Sequence, residues 1–359
     1  MSSHSRFIPI STNNPTVASL IWTSSSGVHL PQGKVVQQLG YNHCFFKYDE
    51  PIPSNADIIV IQGPNGSLLP FFSQYREIPE NEKPILIYWF QQNLYISMPL
   101  WLQYFLCVVY SGAYNTFEPN PFFLAFNNLL NKIKPNRGSR FANLGDILWL
   151  DRNNLLDILA TPASEYQKVF TGFGIDSLLI PRGYHPDYGE IRDLSRDIAV
   201  LWMGKIRTER RKRIIHGLRE ELANESLEML VYDGVEKPFI FGEERTSLLN
   251  RSWFVLNILA YPTDEISIRY YIAAANGAVI LTEPGKNTYP FKNRVHLVEC
   301  PPEQMTETVS YYINHPNEWQ RISQNAYNLV SQELILENSI STMLTQAEKI
   351  IINKRSINT

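Results

Sequence analysis

Cysteine is scarce in this chain, and the three present do not pair by spacing. Cys44, Cys107 and Cys300 lie far apart, form no CxxC and leave an odd one over. That pattern excludes a disulfide framework and fits a reducing compartment, the cytoplasm. An excess of charge is also missing: the net charge is −3 and the pI near 6.2. No global positive field is available to hold a nucleic acid or an anionic bilayer, so any basic patch must be local. Metal-ligand spacing is absent as well. There is no DxD, and the seven histidines (His4, His29, His43, His185, His216, His296 and His315) form neither HxH nor HExxH, so no metal site is expected. GxSxG, P-loop and GxGxxG motifs do not occur, which removes support for serine hydrolase, kinase and standard dinucleotide readings.

Long hydrophobic runs are few. Residues 1–14 contain no apolar stretch of leader type, so neither a signal nor a transit peptide is expected. Pro84 to Phe117 carries no charged residue, and Leu94 to Tyr110 is mostly apolar and aromatic. Seventeen residues containing Ser97, Pro99 and Gln103 fall short of the roughly 20 that a spanning helix needs. The stretch reads instead as a buried strand, a short aromatic helix and a second buried strand at Phe105 to Tyr110. Its aromatic side chains, with Phe117, Phe122 and Phe123, also suit a platform for a sugar ring or apolar aglycone, although core packing explains most of them.

What the chain has is length and core: 359 residues, 44% hydrophobic and 12% aromatic. Single cores stop growing near about 250 to 300 residues, so two domains are expected. Strand-sized apolar runs at Val17–Trp22, Asp57–Ile61, Ile85–Trp89 and Ser177–Ile180 are continuous rather than alternating, as in parallel strands covered on both faces. Helical spacing at Gln32–Leu39, Pro121–Ile133 and Ala163–Phe170 completes a βαβ pattern. After a Pro-, Gly- and charge-rich stretch the alternation restarts. Strands are expected at Ile198–Met203, Leu227–Tyr232, Phe254–Leu259, Ala278–Thr282 and Val295–Val298. Helices are expected at Glu209–Leu222, Arg245–Arg251, Ser267–Ala275 and Pro302–Asn314 and in two segments beyond Glu318. The expected division is therefore an N-terminal domain 1–183, a linker 184–197 and a C-terminal domain 198–359, with the last helices able to pack back on the N-terminal half. The fold class is α/β, with two doubly wound domains facing each other across a cleft, and ligands lie outside the carboxyl ends of such strands.

The chemistry is concentrated after Met203. Gly204 ends a strand, and six basic residues fall between Lys205 and Arg213. A glycine that lets backbone approach closely, followed by a helix N-terminus and cations, suits a diphosphate. A solvated helix face, partly offset by Glu209, is the alternative. Further on, Thr263 or Asp264 can cap a helix that Gly277 ends, and Ser267 and Arg269 in its exposed first turns are the candidates for ligand contact. For a general base, His29, in the loop after the first strand, and His185 have the right intrinsic pKa.

The ordered series from Ile198 to Thr282 resembles the C-terminal domain of glycosyl transferases group 1 with the GT-B fold, particularly the spore-maturation-type branch. It comprises a strand ending in Gly with basic residues (Val200 to Arg211), a strand ending Tyr232-Asp233-Gly234, and a helix and strand from Leu248 to Asn257. A Ser-x-Arg-aromatic-aromatic helix from Ser267 to Ala278 and a strand followed by Glu283 complete it. Pro181 to Pro186 resembles the family's hinge. The resemblance implies two Rossmann-like domains and transfer of a sugar from a nucleotide-diphosphate donor to a glycan, small-molecule or protein acceptor. It implies no bound cofactor and no nucleic-acid partner. Gly204, Lys205, Arg210 and Arg211 would serve the diphosphate, Asp233 and Gly234 the base, and Ser267 and Arg269 the phosphate or ribose. One departure stands out: Ile272 occupies the place of the family's ribose-binding Glu, which leaves Glu283 as substitute or else implies a degenerate, sugar-binding or scaffolding protein.

Overall fold

In a computed structural model of the chain the structure describes residues 14–21, 30–62, 68–91, 94, 98–133, 139–206, 208–259, 267–285 and 288–357. The chain divides into two compact units, Met1–Pro181 with Ser339–Thr359, and Arg182–Asn338. Segment 184–197 thus falls within the second unit, and the last helix contributes to the first.

Unit 1 is built on a six-stranded parallel sheet of order β2-β1-β3-β4-β5-β6. Its strands are β1 (Thr16–Ile21), β2 (Asn42–Lys47), β3 (Ile58–Gln62), β4 (Ile85–Trp89), β5 (Ile158–Thr161) and β6 (Leu178–Leu179). Every residue of β1, β3, β4 and β5 is buried, which is why their sequences read as unbroken apolar runs. Helices α1 (Leu30–Gln38), α2 (Leu69–Glu77), α3 (Leu100–Tyr110), α4 (Gly112–Phe117), α5 (Pro121–Ile133), α6 (Ser139–Arg152) and α7 (Ser164–Gly172) connect or cover these strands. The strand expected at Phe105–Tyr110 is the second half of helix α3. The mostly apolar segment Leu100–Tyr110 is eleven residues long, follows Pro99 and is buried on one side only, and a helix satisfies all three.

Unit 2 carries a five-stranded parallel sheet of order β11-β10-β9-β7-β8. The strands are β7 (Ile198–Met203), β8 (Met229–Tyr232), β9 (Ser252–Asn257), β10 (Val279–Thr282) and β11 (Leu297–Glu299). Helices α8 (Glu209–Asn224), α9 (Gly242–Arg251), α10 (Ile268–Ala275), α11 (Met305–Asn314) and α12 (Pro316–Asn328) surround it. From β7 the chain goes first to β8 on one side and then to β9 on the other, so the strand order reverses between β7 and β9. Segment 184–197 is fastened to this unit by buried amides. Asn276 donates to the Tyr188 carbonyl at 3.0 Å, and Asn250 donates to the Glu190 carbonyl at 2.8 Å and accepts from the Arg192 amide at 2.6 Å.

The last helix, α13 (Leu336–Ile357), is tied into unit 1 along its length. Ser339 donates to the Pro181 carbonyl at 2.9 Å, the Tyr41 hydroxyl to Glu348 at 2.6 Å, and Lys354 pairs with Asp157 at 2.8 Å.

The core of unit 1 contains a buried carboxylate, Asp146 on α6, which accepts from the Ser111 hydroxyl at 2.8 Å and the Ala113 amide at 3.1 Å at the start of α4. Burial raises its pKa to about 6, and the hydrogen bonds from Ala113, Ser111 and Gly112 only partly oppose that rise. A carboxyl whose folded pKa lies above its unfolded value stabilises the fold below the unfolded pKa and loses that contribution as pH climbs through the folded one. Asp146→Asn, which keeps an acceptor without the charge, should therefore gain stability relative to wild type as pH rises from 4 to 7. The gain approaches about 3 kcal/mol for a two-unit shift and is measured as the difference between the urea unfolding curves of the two proteins.

Candidate functional site

The carboxyl ends of β7, β9 and β10 in unit 2 gather the polar groups, at the place where the strand order reverses. In open parallel sheets this is the crevice where ligands bind. Arg269, in the first turn of α10, spans it. Its Nε and Nη2 donate to the Met203 carbonyl at 3.2 and 2.8 Å, and its Nη1 donates to Asn257 Oδ1 at 2.7 Å. One guanidinium thus joins the last residue of β7 to the last residue of β9. Asn257 is fixed in turn by donating to the Tyr270 hydroxyl at 3.2 Å and to Thr282 Oγ1 at 3.1 Å.

Under the guanidinium lies Trp202, whose indole nitrogen donates to the Gly204 carbonyl at 2.7 Å. Arg269 stands 4.7 Å and Arg211 5.5 Å from the Trp202 ring centroid. A flat delocalised cation over an indole is favourable, and the indole's fixed position holds both arginines in place. The acceptors of Arg269 are neutral oxygens. Burial lowers its pKa to about 10 and the like charge of Arg211 adds to that shift, so it remains charged at neutral pH. Arg211 itself donates from Nε to the Ile258 carbonyl at 2.7 Å.

Gly204 has φ +127, and a Cβ there would lie 3.0 Å from Arg269 Nη2. The glycine expected from the strand-end pattern is thus required both by backbone conformation and by the closeness of the guanidinium. Ser267 is the N-cap of α10, its hydroxyl accepting from the Arg269 amide at 3.3 Å. Thr263 and Asp264, the alternative caps, lie outside the described residues.

Arg210 is engaged differently. It forms a two-pronged ion pair with Glu283, one bond being 3.0 Å, and donates to the Leu259 carbonyl at 3.2 Å. Glu283 also accepts from the Leu259 amide at 2.7 Å. Its hydrogen bonds to Glu283 raise the Arg210 pKa, the opposite direction from Arg269. Lys205 is exposed, its ammonium 6.0 Å from the Phe239 ring centroid. Asp233 accepts from the amides of Val235 and Glu236, both at 2.8 Å. Burial works against its charge, but these amides outweigh it and hold the carboxyl below its usual range. Gly234 follows with φ +81, and a Cβ there would strike Phe239 at 2.5 Å. Asp233 and Gly234 therefore shape a tight loop after β8.

Ile272 is buried in the apolar cluster of unit 2. His185 is buried, and its Nδ1 accepts from the Asp187 amide at 3.1 Å, capping the short turn Pro186–Tyr188. His29 lies outside the described residues. Among the described residues no group of three His, Cys, Asp or Glu side chains is placed to hold a metal ion. The residue that sequence reasoning passed over is Trp202. Its signal was a tryptophan in a strand of aliphatic residues, two places before the glycine.

Residues 201–345 match the family model described as glycosyl transferase-like. The match reaches the family and goes no further toward the spore-maturation-type branch. No curated protein matches the chain significantly in sequence. Among solved structures, sucrose-phosphate synthase from Thermosynechococcus elongatus superposes with a TM-score of 0.59 at 10% identity, over 95% of this chain and 100% of that one. A glycosyltransferase from Rickettsia africae gives 0.57 at 10% identity, over 94% and 99%. Anabaena HepE, solved in complex with UDP-glucose, gives 0.54 at 10% identity, over 92% and 99%.

Gly204→Ala should cost unit 2 about 1 to 2 kcal/mol, because φ is positive and the added methyl meets a guanidinium. By contrast, Gly217→Ala within α8, where nothing lies within 4 Å of the new Cβ, should gain about 0.5 to 1 kcal/mol. Urea denaturation of the two variants beside wild type checks the pair. The chain has the GT-B fold of two Rossmann-like α/β domains, and its residues 201–345 match the glycosyl transferase-like family model.

Proposed function

We propose that the protein transfers a sugar from a nucleoside-diphosphate sugar to a hydroxyl acceptor without a metal ion, and that unit 2 binds the donor. The observation that carries this reading is the Arg211–Arg269 pair over Trp202 at the strand-order reversal, inside the segment that matches the glycosyl transferase-like family. Two cations brought together over an indole, one of them donating to neutral oxygens alone among the described residues, make a receptor for a doubly charged anion.

In the transfer, the bond from the anomeric carbon to the diphosphate oxygen breaks and the acceptor oxygen bonds to that carbon. Negative charge grows on the leaving diphosphate, where Arg211, Arg269, Lys205 and the amides at the start of α10 stabilise it in place of a metal. Asp233 and Gly234 shape the loop for the base, and Arg210, already paired with Glu283, takes no direct part. The acceptor proton goes to His29 in this reading. His185, whose Nδ1 accepts an N–H, carries its proton on Nε2 when neutral and suits donation rather than proton abstraction. The UDP-glucose complex of HepE favours uridine diphosphate as the first nucleotide to try.

A second reading, a sugar-binding or scaffolding protein that kept the fold without turnover, rests on Ile272. In a thermal-shift measurement, UDP at about one hundred times its Kd should stabilise the wild type by roughly 2.7 kcal/mol, and the shift should persist in EDTA. Arg211→Ala should weaken that binding at least about tenfold, the loss of one charge-assisted bond, while its melting temperature without ligand stays near wild type. A shift that needs Mg²⁺ would overturn metal independence. Nucleotide binding without transfer to any hydroxyl acceptor would favour the second reading, and no response to any nucleotide diphosphate would remove the donor site altogether.

A further inference from the structure

A different surface, on unit 1, carries an independent inference. From Pro84 to Gly145 the sequence holds one carboxylate, Glu118, against Lys132, Lys134, Arg137 and Arg140. Two helices in this stretch pair through aromatic rings. Phe105 of α3 lies 6.1 Å from Phe123 and 5.5 Å from Phe126 of α5, centroid to centroid. α3 continues into the core through Cys107, Val108 and Val109, whereas α5 has no buried residue.

The sequence of α5 places Phe122, Phe123, Phe126, Leu129, Leu130 and Ile133 at helical spacing along one stripe, with Asn127, Asn128, Asn131 and Lys132 off it. The Phe123 and Phe126 edge of that stripe meets α3. The other edge remains open: Phe122 is 62%, Leu129 53% and Ile133 63% exposed, and on α3 Trp101 is 73% exposed. A folded chain in water gains about 25 cal/mol for each Å² of such surface it covers, so an open aromatic edge of this kind marks a docking face.

We propose that this helix pair docks on the surface of a bilayer containing anionic lipid. α5 lies in the interface plane, with Phe122, Leu129 and Ile133 toward the acyl boundary and Lys132 toward the headgroups, while Trp101 and Tyr104 sit at headgroup level. Charge chooses this occupant over a protein partner. The polar residues of α5 are Asn127, Asn128, Asn131 and Lys132, and the sequence from Pro119 to Gly145 offers no carboxylate with which to pair a basic partner or to limit attraction to phosphate. The contact is with the surface and does not span it, because among the described residues no helix is long and apolar enough to cross a membrane.

The test uses the full chain in a vesicle flotation assay, with vesicles of phosphatidylcholine alone and of phosphatidylcholine with phosphatidylglycerol. The expected result is flotation with the phosphatidylglycerol vesicles that weakens as salt is raised. The double variant Phe122→Ser, Ile133→Ser should lower the partition coefficient at least about tenfold, and its melting temperature should match wild type because both side chains are exposed. Lys132→Gln should weaken binding to the anionic vesicles alone. Absence of flotation with either vesicle overturns the proposal, as does flotation that both variants leave unchanged. A wild-type dimer in light scattering that Phe122→Ser converts to a monomer, with no vesicle binding, would give the face to a second copy of the chain. Each outcome is read on unit 1 surface residues and is independent of nucleotide binding.

Discussion

The guanidinium of Arg269 is the constraint on which the candidate site depends. Parallel strands end in carbonyls and side chains with no ladder partner beyond them, and adjacent ends separate unless something joins them. Here one planar group with fixed donors takes the Met203 carbonyl at the end of β7 and the Asn257 side chain at the end of β9. Other features follow from that choice. Gly204 must lack a Cβ because the guanidinium passes 3.0 Å from where it would be. Trp202 must be flat and anchored, since it carries two cations. Ser267 must cap α10 so that the helix starts where Arg269 can reach back. Lysine could not replace it, because a single ammonium cannot bridge two acceptors in a plane while stacking on an indole.

Unit 2 is stiffened beneath this corner by a second buried polar layer. Arg196 donates to the Leu249 carbonyl at 3.2 Å and the Gly277 carbonyl at 3.0 Å, and also to that of Ser252, while lying 4.5 Å from the Trp319 ring centroid. Its burial lowers its pKa to about 10. Asn250 and Asn276 add the bonds that fasten segment 184–197. Gly183 shows why the hinge-like sequence needs its glycine: a Cβ there would fall 2.0 Å from the Leu336 backbone, where Tyr184 bonds to the Leu334 carbonyl at 2.7 Å. The Pro181–Pro186 motif is thus read as a close backbone approach rather than as a turn.

Much of the fold was legible because most of its strands are buried on both faces and so appear as unbroken β-branched runs. Where that signal fails, the sequence misleads or falls silent. β2 is an edge strand, Asn42–Lys47, with mostly half-buried side chains, and its apolar run of Cys44, Phe45 and Phe46 is too short to stand out. α6 is buried over nearly its whole second half, so it has no polar face and hence no helical period. Phe105–Tyr110 is short and apolar, a pattern that strand and buried helix share. In the site, the order Gly204, Arg211, Asn257, Ser267 and Arg269 could be read along the chain, because strand ends and helix starts have local signals. The pairing of Arg210 with Glu283 could not, since 73 residues separate them and only the parallel crossovers bring them together.

That pairing decides how the cations of the corner divide their work. Arg210 already has a carboxylate, and its pKa is raised, so an arriving anion gains little from it beyond what Glu283 supplies. Arg269 has the reverse history: burial against neutral oxygens lowers its pKa, and a nearby Arg211 lowers it further. An anion placed between these two would relieve both penalties at once, so on the proposed reading its binding energy is concentrated on Arg211 and Arg269. Arg210 instead holds Glu283, which also accepts from the Leu259 amide. The run of basic residues after Gly204 is therefore not a uniform positive patch. Its members differ in partner, and the partners determine which of them can still receive charge.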